Sequence, residues 1–285
     1  MNLNESEDNL PVALESDEAN QEVAYPNIKA TLVLFFILLL NSLIVAIPIF
    51  VIDINLPNNL PILKSLIKLA SYIIPLLLTI NYAIRKSKKQ QGYPLSININ
   101  KIQGWLVPVI IIGALAMIIP LAQSSAWIPM PESVRKFFEK TFTKDIFSIA
   151  TAVIVAPILE EIICRGIILK GLLKNYPPYK AILISAIFFS VIHLNPWQAI
   201  PAFFSGLFLG WIYYKTQSVI PGMIIHATIN ATGMALLFVP GHYKDFLSLF
   251  GLPYYQIVFV ASLLIFTATC IIVNKKALII PEPVM

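Results

Sequence analysis

The amino-acid sequence predicts an all-α membrane protein, a polytopic bundle of about eight transmembrane helices. Of its 285 residues, 58% are hydrophobic and only 12% are charged, whereas a soluble domain has about 25% charged residues. The mean hydropathy is +0.79, and apolar stretches of about 20 residues recur along the chain. A soluble domain cannot bury so much apolar surface, so we expect the chain to cross a lipid bilayer several times.

Eight apolar stretches approach the roughly 20 residues that a helix needs to cross the hydrocarbon core. The fifth and sixth are short and nearly continuous, and Asn195-Pro196 separates them because proline ends or kinks a helix. The eight predicted spans lie near residues 30–52, 62–84, 104–123, 146–170, 180–195, 197–214, 219–239 and 254–273.

The segment before the first span is predicted to be a disordered acidic tail covering residues 1–28. It contains seven acidic residues and neither Lys nor Arg. A secretory signal peptide would need a basic start and an early apolar stretch, so this segment does not resemble one. Its composition is typical of a solvated chain without a packed core.

The segment 131–145, between the third and fourth spans, is predicted to lie on the membrane surface. It places Phe137, Phe138 and Phe142 among charged residues. An apolar side and a charged side on one short helix are typical of an amphipathic interfacial segment.

The basic residues of the short loops predict the orientation of the bundle. With eight spans, the groups that follow the second, fourth, sixth and eighth spans lie on one side, which is therefore predicted to be the cytoplasm. These groups contain Arg85, Lys86, Lys88, Lys89, Lys101, Lys174, Lys180, Lys215, Lys275 and Lys276. Both termini are then cytoplasmic, and we expect the protein in the plasma membrane.

The composition also limits the class of function. The net charge of +5 is divided among short groups in the loops, which is typical of charge at a membrane surface rather than at a nucleic-acid interface. Cys164 and Cys270 are the two cysteines, too few for a disulfide framework or a cysteine-based zinc ribbon. We expect the lipid bilayer as a partner and no nucleic acid.

Few polar residues remain inside the apolar stretches, and these carry the functional information. The fourth span contains Glu160 and Glu161 followed by Arg165. Glu161 and Arg165 are four residues apart on one helix face, so they are expected to pair. Glu160 points about 100° away from that face. It is then free to face a cavity and to act as a general base, unless it ties helices together.

The fifth and seventh spans each carry a histidine. Phe189 and His193 are four residues apart in the fifth span, as are His226 and Asn230 in the seventh. Each pair is therefore expected to share a helix face. Taken alone, such residues often form hydrogen bonds between helices.

The depths of these residues indicate a shared site. Glu160 and His193 lie 14 and 13 residues from the nearest cytoplasmic lysine, and His226 and Asn230 lie 11 and 15 residues from theirs. At about 1.5 Å per residue these separations correspond to roughly 16–22 Å. Three helices of differing direction thus bring carboxylates, imidazoles and an amide to one level.

Such a group of residues has the equipment of a peptidase that attacks with water. Glu and His can deprotonate water, and His and Asn can donate hydrogen bonds to an oxyanion. The sequence contains neither a Ser-x-x-Lys nor a Gly-x-Ser-x-Gly motif. It also lacks His-Glu-x-x-His, although Glu160, His193 and His226 could hold zinc with an open position. The residues alone leave open whether a metal or the glutamate activates the water.

Three motifs in order on successive helices resemble the CPBP (Abi) family of intramembrane proteases, which includes enzymes of the CAAX prenyl protease 2 type. The motifs are Glu160-Glu161-x-x-x-Arg165, Phe189-x-x-x-His193 and His226-x-x-x-Asn230, and the resemblance covers about residues 145–240. It implies an all-helical core with a cavity open to cytoplasm and lipid.

The resemblance also implies a role for each motif residue. Glu160 would activate water with help from His193, and His226 and Asn230 would form the oxyanion hole. Glu161 and Arg165 would hold the site in shape. The family is often labelled metalloprotease, but a metal-free glutamate mechanism has also been argued, so zinc is an open expectation.

These observations predict a chain organised as a tail (1–28), N-terminal transmembrane helices (29–130) and a catalytic membrane core (131–285). The expected function is an intramembrane endopeptidase that acts on membrane-associated peptides or membrane proteins, whether prenylated or precursor. The alternatives are a non-catalytic scaffold or immunity factor of the same fold and an ion-coupled transporter. A transporter would usually show inverted repeats, and the sequence shows no internal repeat.

Overall fold

A computed structural model describes residues 23–57, 59–239 and 246–276. Within these ranges the chain forms ten helices and no strand, which confirms the predicted all-α class. The first four helices are α1 (Ile28–Asn55), α2 (Pro61–Gln91), α3 (Leu106–Ser125) and α4 (Glu132–Thr141). The next four are α5 (Ile146–Asn175), α6 (Pro178–Val191), α7 (Pro196–Thr216) and α8 (Ile220–Ala235). The last two are α9 (Phe246–Phe250) and α10 (Tyr254–Lys276).

Six of these helices are long and apolar enough to cross a membrane, namely α1, α2, α3, α5, α8 with the turn that follows it, and α10. The chain is therefore an integral multi-pass membrane protein, as predicted, but the expected number of eight spans is only approximate. The fifth predicted span is α6, whose 14 residues reach about 21 Å, short of the roughly 30 Å of a hydrocarbon core. The sixth is α7, which has 21 residues but is not among the six.

The helix α5 lies in the middle of the bundle, where it contacts α2, α6, α7 and α8. Asp145 caps its first turn by accepting hydrogen bonds from the backbone N–H groups of Phe147 and Ser148, at 3.0 and 3.1 Å. Burial raises the pKa of the Asp145 carboxyl, but these bonds and one from the Thr143 hydroxyl outweigh burial and lower that pKa overall. A carboxylate at a helix N-terminus is also favoured by the helix dipole.

The other helices pack around α5 in pairs. The helices α6 and α7 form an antiparallel hairpin, α1 packs along α2, and α3 packs against α7, α8 and α10. The segment predicted to be amphipathic contains α4, which has no buried residue and exposes the Phe137 side chain. On its surface Glu132 forms exposed ion pairs with Arg135 and with Lys136.

The segment before α1 is packed against the end of α5. Residues 1–22 of the predicted disordered tail lie outside the described residues, but Tyr25 is buried. The Ala24 N–H donates to the Asn175 side-chain oxygen at 2.9 Å, and the Asn175 amide donates to the Ala24 carbonyl at 2.8 Å. Because α1 begins at Ile28, the last residues of the predicted tail, 23–28, belong to the folded bundle.

A substitution at Gly171 tests this packing. A Cβ atom there would lie 2.3 Å from the Pro26 Cδ atom and 2.5 Å from its backbone nitrogen. Backbone must therefore shift, and Gly171→Ala is expected to lower the free energy of unfolding by about 1–3 kcal/mol. Gly233→Ala is the control, because that helical glycine has no atom within 4 Å of the added Cβ. Thermal unfolding in detergent measures both, and a Gly171→Ala protein as stable as the control would contradict the packing.

Candidate active site

A fully buried ion pair lies at the centre of the site. The Glu161 Oε1 atom accepts from Arg165 Nη1 at 2.6 Å, and neither side chain is exposed at all. Both residues are on α5, one turn apart, as the spacing predicts. Two further helices contact the guanidinium. Its Nη2 atom donates to the Gly206 carbonyl of α7 at 3.0 Å, and its Cζ atom lies 4.6 Å from the centre of the Phe189 ring on α6.

The helix α8 approaches this ion pair from the other side. The His226 Nδ1 atom lies 3.5 Å from Glu161 Oε1. A Cβ atom on Gly222 would lie only 2.5 Å from Glu161 Oε2, so a residue without a side chain is needed where α8 passes the carboxylate. The ion pair thus joins α5 to α6, α7 and α8.

Glu160 points away from the ion pair, as the helix geometry predicts. Its Oε1 atom accepts a hydrogen bond from the hydroxyl of Tyr72 on α2. Its Oε2 atom lies 3.9 Å from His226 Nε2, which is too long for a direct hydrogen bond. This Oε2 atom is buried and has no hydrogen-bond partner among the described residues. The two oxygens of Glu160 are therefore in different surroundings.

One aromatic ring, that of Phe189, contacts both histidines. The Phe189 ring stands nearly perpendicular to His193 and to His226, with ring centres 5.4 Å apart in each case. The helix α6 ends at Val191, so His193 lies in the turn after it and not on the predicted helix face. The His193 Nδ1 atom lies 2.8 Å from the Phe189 carbonyl. That contact brings His193 to the edge of the site despite the end of the helix.

Asn230 binds backbone and not a side chain of the site. Its amide donates to the Ala152 carbonyl of α5 at 2.8 Å. The helix α5 is π-helical from Thr151 to Val155, so the Ala156 N–H donates to the carbonyl five residues back. The next donor in that series would be Pro157, which has no N–H. The Asn230 amide therefore takes the place of the missing backbone donor.

The structure brings four of the six predicted residues into one cluster, comprising Glu160, Glu161, Arg165 and His226. His193 joins it through Phe189, and Asn230 lies one turn further along α8 with its amide on α5. No sequence pattern singled out Tyr72, Gly206 or Gly222. No spacing pattern connects Tyr72 to a glutamate 88 residues later; its one signal is a hydroxyl inside an apolar stretch.

The three candidate zinc ligands, Glu160, His193 and His226, are not assembled as a ligand set in this geometry. Across residues 23–57, 59–239 and 246–276, no group of three His, Cys, Asp or Glu side chains is placed to hold a metal ion. The His193 Nδ1 atom is at the Phe189 carbonyl, and His226 has one nitrogen near each glutamate. Among the described residues, Glu160, His193 and His226 do not lie together as the ligands of a single metal ion.

The fold and the site together define a polytopic membrane protein with a buried cluster of glutamate, arginine and histidine side chains. Residues 142–232 match the family described as type II CAAX prenyl endopeptidase Rce1-like, and this range contains all six predicted site residues. The match confirms the resemblance that the three motifs predicted. It supports a function of the CAAX-type intramembrane protease kind.

One curated relative is the UPF0177 protein YxdF of Lactococcus lactis, which is 30% identical over 81 residues. The aligned region is 28% of this chain and 44% of that protein, so the chain spans less than half the length of this relative. No solved structure matches the chain.

Removing Arg165 tests the central ion pair. Arg165→Ala leaves the Glu161 carboxylate buried without its cation, so it should destabilise the fold by about 3–5 kcal/mol. Arg135→Ala is the control, since Arg135 is paired with Glu132 on the surface, where both side chains are more than half exposed. Thermal unfolding of the two variants should give a large loss for the first and little change for the second. Equal melting temperatures would mean that the buried pair does not hold the bundle together.

Proposed function

We propose that this protein is an intramembrane endopeptidase in which Glu160 activates the attacking water. The observation that carries the proposal is the pair of atoms Glu160 Oε2 and His226 Nε2, 3.9 Å apart in a buried site. The Rce1-like match over residues 142–232 supports the same class of chemistry. The proposed substrates are membrane-associated peptides or membrane proteins, prenylated or precursor, and the proposed setting is the plasma membrane with both termini cytoplasmic.

The spacing of those two atoms suits acyl transfer to water. When water adds to a peptide carbonyl, the attacking oxygen and the carbonyl oxygen become bonded to the same carbon. A base for the first and a hydrogen-bond donor for the second must therefore lie close together. Glu160 Oε2 is the base, and His226, when it carries a proton on Nε2, donates to the oxyanion.

Glu160 alone can carry out both proton transfers of the reaction. Glu160 takes one proton from the water while the water oxygen bonds to the carbonyl carbon. The tetrahedral intermediate then collapses, the C–N bond breaks, and Glu160 returns the proton to the departing amine. His193 is placed at the edge of the site by Phe189 and is proposed to assist Glu160. Glu161 and Arg165 are proposed to hold these groups in place without taking part in the proton transfers.

The first prediction of this proposal concerns the base. Glu160→Gln keeps the shape of the side chain and an oxygen for the Tyr72 hydroxyl, so the melting temperature should remain near that of the wild type. Turnover should fall by about 10²–10⁴-fold, the usual contribution of a general base. Mass spectrometry of membrane peptides should show products with wild-type protein that are absent with Glu160→Gln.

One control variant and two further measurements distinguish the proposed enzyme from the alternatives. Glu139→Gln removes an exposed carboxylate of α4 and should leave the products unchanged. If the protein were a scaffold, the Glu160→Gln variant would keep its cellular function. That result would overturn the proposed enzymatic function. A transporter would instead carry ions across liposomes, a flux that the proposed peptidase should not show.

The second prediction concerns Asn230. An amide has two N–H donors; one reaches Ala152, and the second is proposed to donate to the oxyanion. Asn230→Ala should then lower kcat by about 10²–10³-fold with little change in KM. It should also cost about 1 kcal/mol of stability, because the Ala152 carbonyl loses its donor.

Measurements of kcat, KM and melting temperature on this variant separate the two contributions. Unchanged kcat with lower stability would remove Asn230 from the catalytic residues and leave only its bond to α5. Recovery of activity on addition of zinc would show that the side chain serves a metal, contrary to the proposal.

A further inference from the structure

The reactive carboxylate is held by a residue from outside the segment that matches the family. Tyr72 belongs to α2, whereas the match covers residues 142–232. Its hydroxyl donates to Oε1 of Glu160 on α5, a residue that lies 88 positions later in the sequence. In the described part of the chain, this is the hydrogen bond that the Glu160 side chain makes.

In each of the two neighbouring glutamates, one carboxylate oxygen accepts a side-chain hydrogen bond, but the two donors differ in kind. Glu161 is bound by the Arg165 cation of its own helix, which makes it half of an ion pair. Glu160 is bound by the neutral hydroxyl of Tyr72 from another helix. A neutral donor orients a carboxylate without neutralising its charge in a salt bridge, so Glu160 remains available as a base.

The consequence is a distinction between the two oxygens of Glu160. A glutamate side chain has three rotatable bonds, and its terminal carboxylate torsion is broad and nearly two-fold. A bond to Oε1 fixes that torsion and directs Oε2 at His226 Nε2, 3.9 Å away. Fixing a reacting group in this way lowers the barrier by removing unproductive orientations.

We propose that Tyr72 is a positioning residue of the peptidase and orients Glu160 for attack by water. The proposal rests on the proposed function, because it assigns Tyr72 a role only through the base. It extends the working unit to α2, which carries none of the three family motifs. The N-terminal helices are then part of the catalytic apparatus and not only a membrane anchor.

The test compares Tyr72→Phe with Tyr82→Phe in the purified full-length protein. Tyr82 is the other tyrosine of α2 and lies ten residues further along the helix, packed beside the core. Loss of a hydrogen bond to a charged group should lower kcat of Tyr72→Phe about 10- to 100-fold, with KM unchanged. Tyr82→Phe should retain wild-type kcat and KM.

A second variant separates orientation from simple bracing of α2 against α5. Incorporation of 4-aminophenylalanine at position 72 restores a donor without the hydroxyl, and it should recover most of the lost kcat. A tyrosine that only braced the helices would lower the melting temperature and leave kcat per folded molecule unchanged, which would overturn the proposal. Loss of kcat without recovery by the amino variant would also overturn it, since the hydroxyl would then have a chemical role of its own.

The Glu160→Gln protein keeps this test distinct from that of the proposed function. If Glu160→Gln is inactive and Tyr72→Phe is fully active, only the role of Tyr72 is wrong. If Glu160→Gln retains activity, the proposed function itself fails, whatever the behaviour of Tyr72→Phe.

Discussion

The buried ion pair between Glu161 and Arg165 is the constraint on which the rest of the site depends. Two charges with no exposed surface carry a desolvation cost of several kcal/mol each, which is offset only by good geometry and further hydrogen bonds. The guanidinium donates one further hydrogen bond, to a carbonyl of α7, and lies over a ring of α6, whereas Glu161 Oε2 and Arg165 Nε have no hydrogen-bond partner among the described residues. A shift of any of these helices would leave part of a charge without a partner.

The same constraint explains why two adjacent glutamates have different surroundings. Successive residues of a helix point about 100° apart, so fixing Glu161 towards α6, α7 and α8 directs Glu160 towards α2. There it meets the hydroxyl of Tyr72 on one oxygen and faces His226 with the other. His226 has one nitrogen near each glutamate, so the imidazole links the structural carboxylate to the proposed catalytic one.

The sequence predicted those features that depend on short-range geometry. The all-helical membrane class followed from composition, and the pairing of Glu161 with Arg165 followed from a spacing of four residues. Features that depend on long-range packing could not be predicted in this way. The contact from Tyr72 to Glu160 joins two helices without any periodic signal, and the segment that contains buried Tyr25 is bound to the end of α5 through hydrogen bonds between Ala24 and Asn175.

Helix ends were intermediate between these cases. Asn195-Pro196 predicted a break, and α7 does begin at Pro196, but α6 already ends at Val191. The left-handed backbone of Leu194 at φ 56° was not evident from residue types. His193 consequently lies in a turn, and its place in the site depends on Phe189. The predicted number of spans is approximate, because six helices are long and apolar enough to cross a membrane and α6 is a shorter apolar helix.

The backbone of α5 connects Glu160 to α8 by a second route. Pro157 lies three residues before Glu160 and cannot donate a hydrogen bond, and the helix around it is π-helical on both sides, over Thr151–Val155 and Ile162–Leu169. Such π-helical segments often occur at functional sites. Here the carbonyl without a backbone donor is bound by the Asn230 amide, on the helix that also carries His226. The irregular backbone of α5 and the polar side chains of α8 therefore stabilise each other, and the proposed base and oxyanion donor are held at a fixed separation by the same pair of helices.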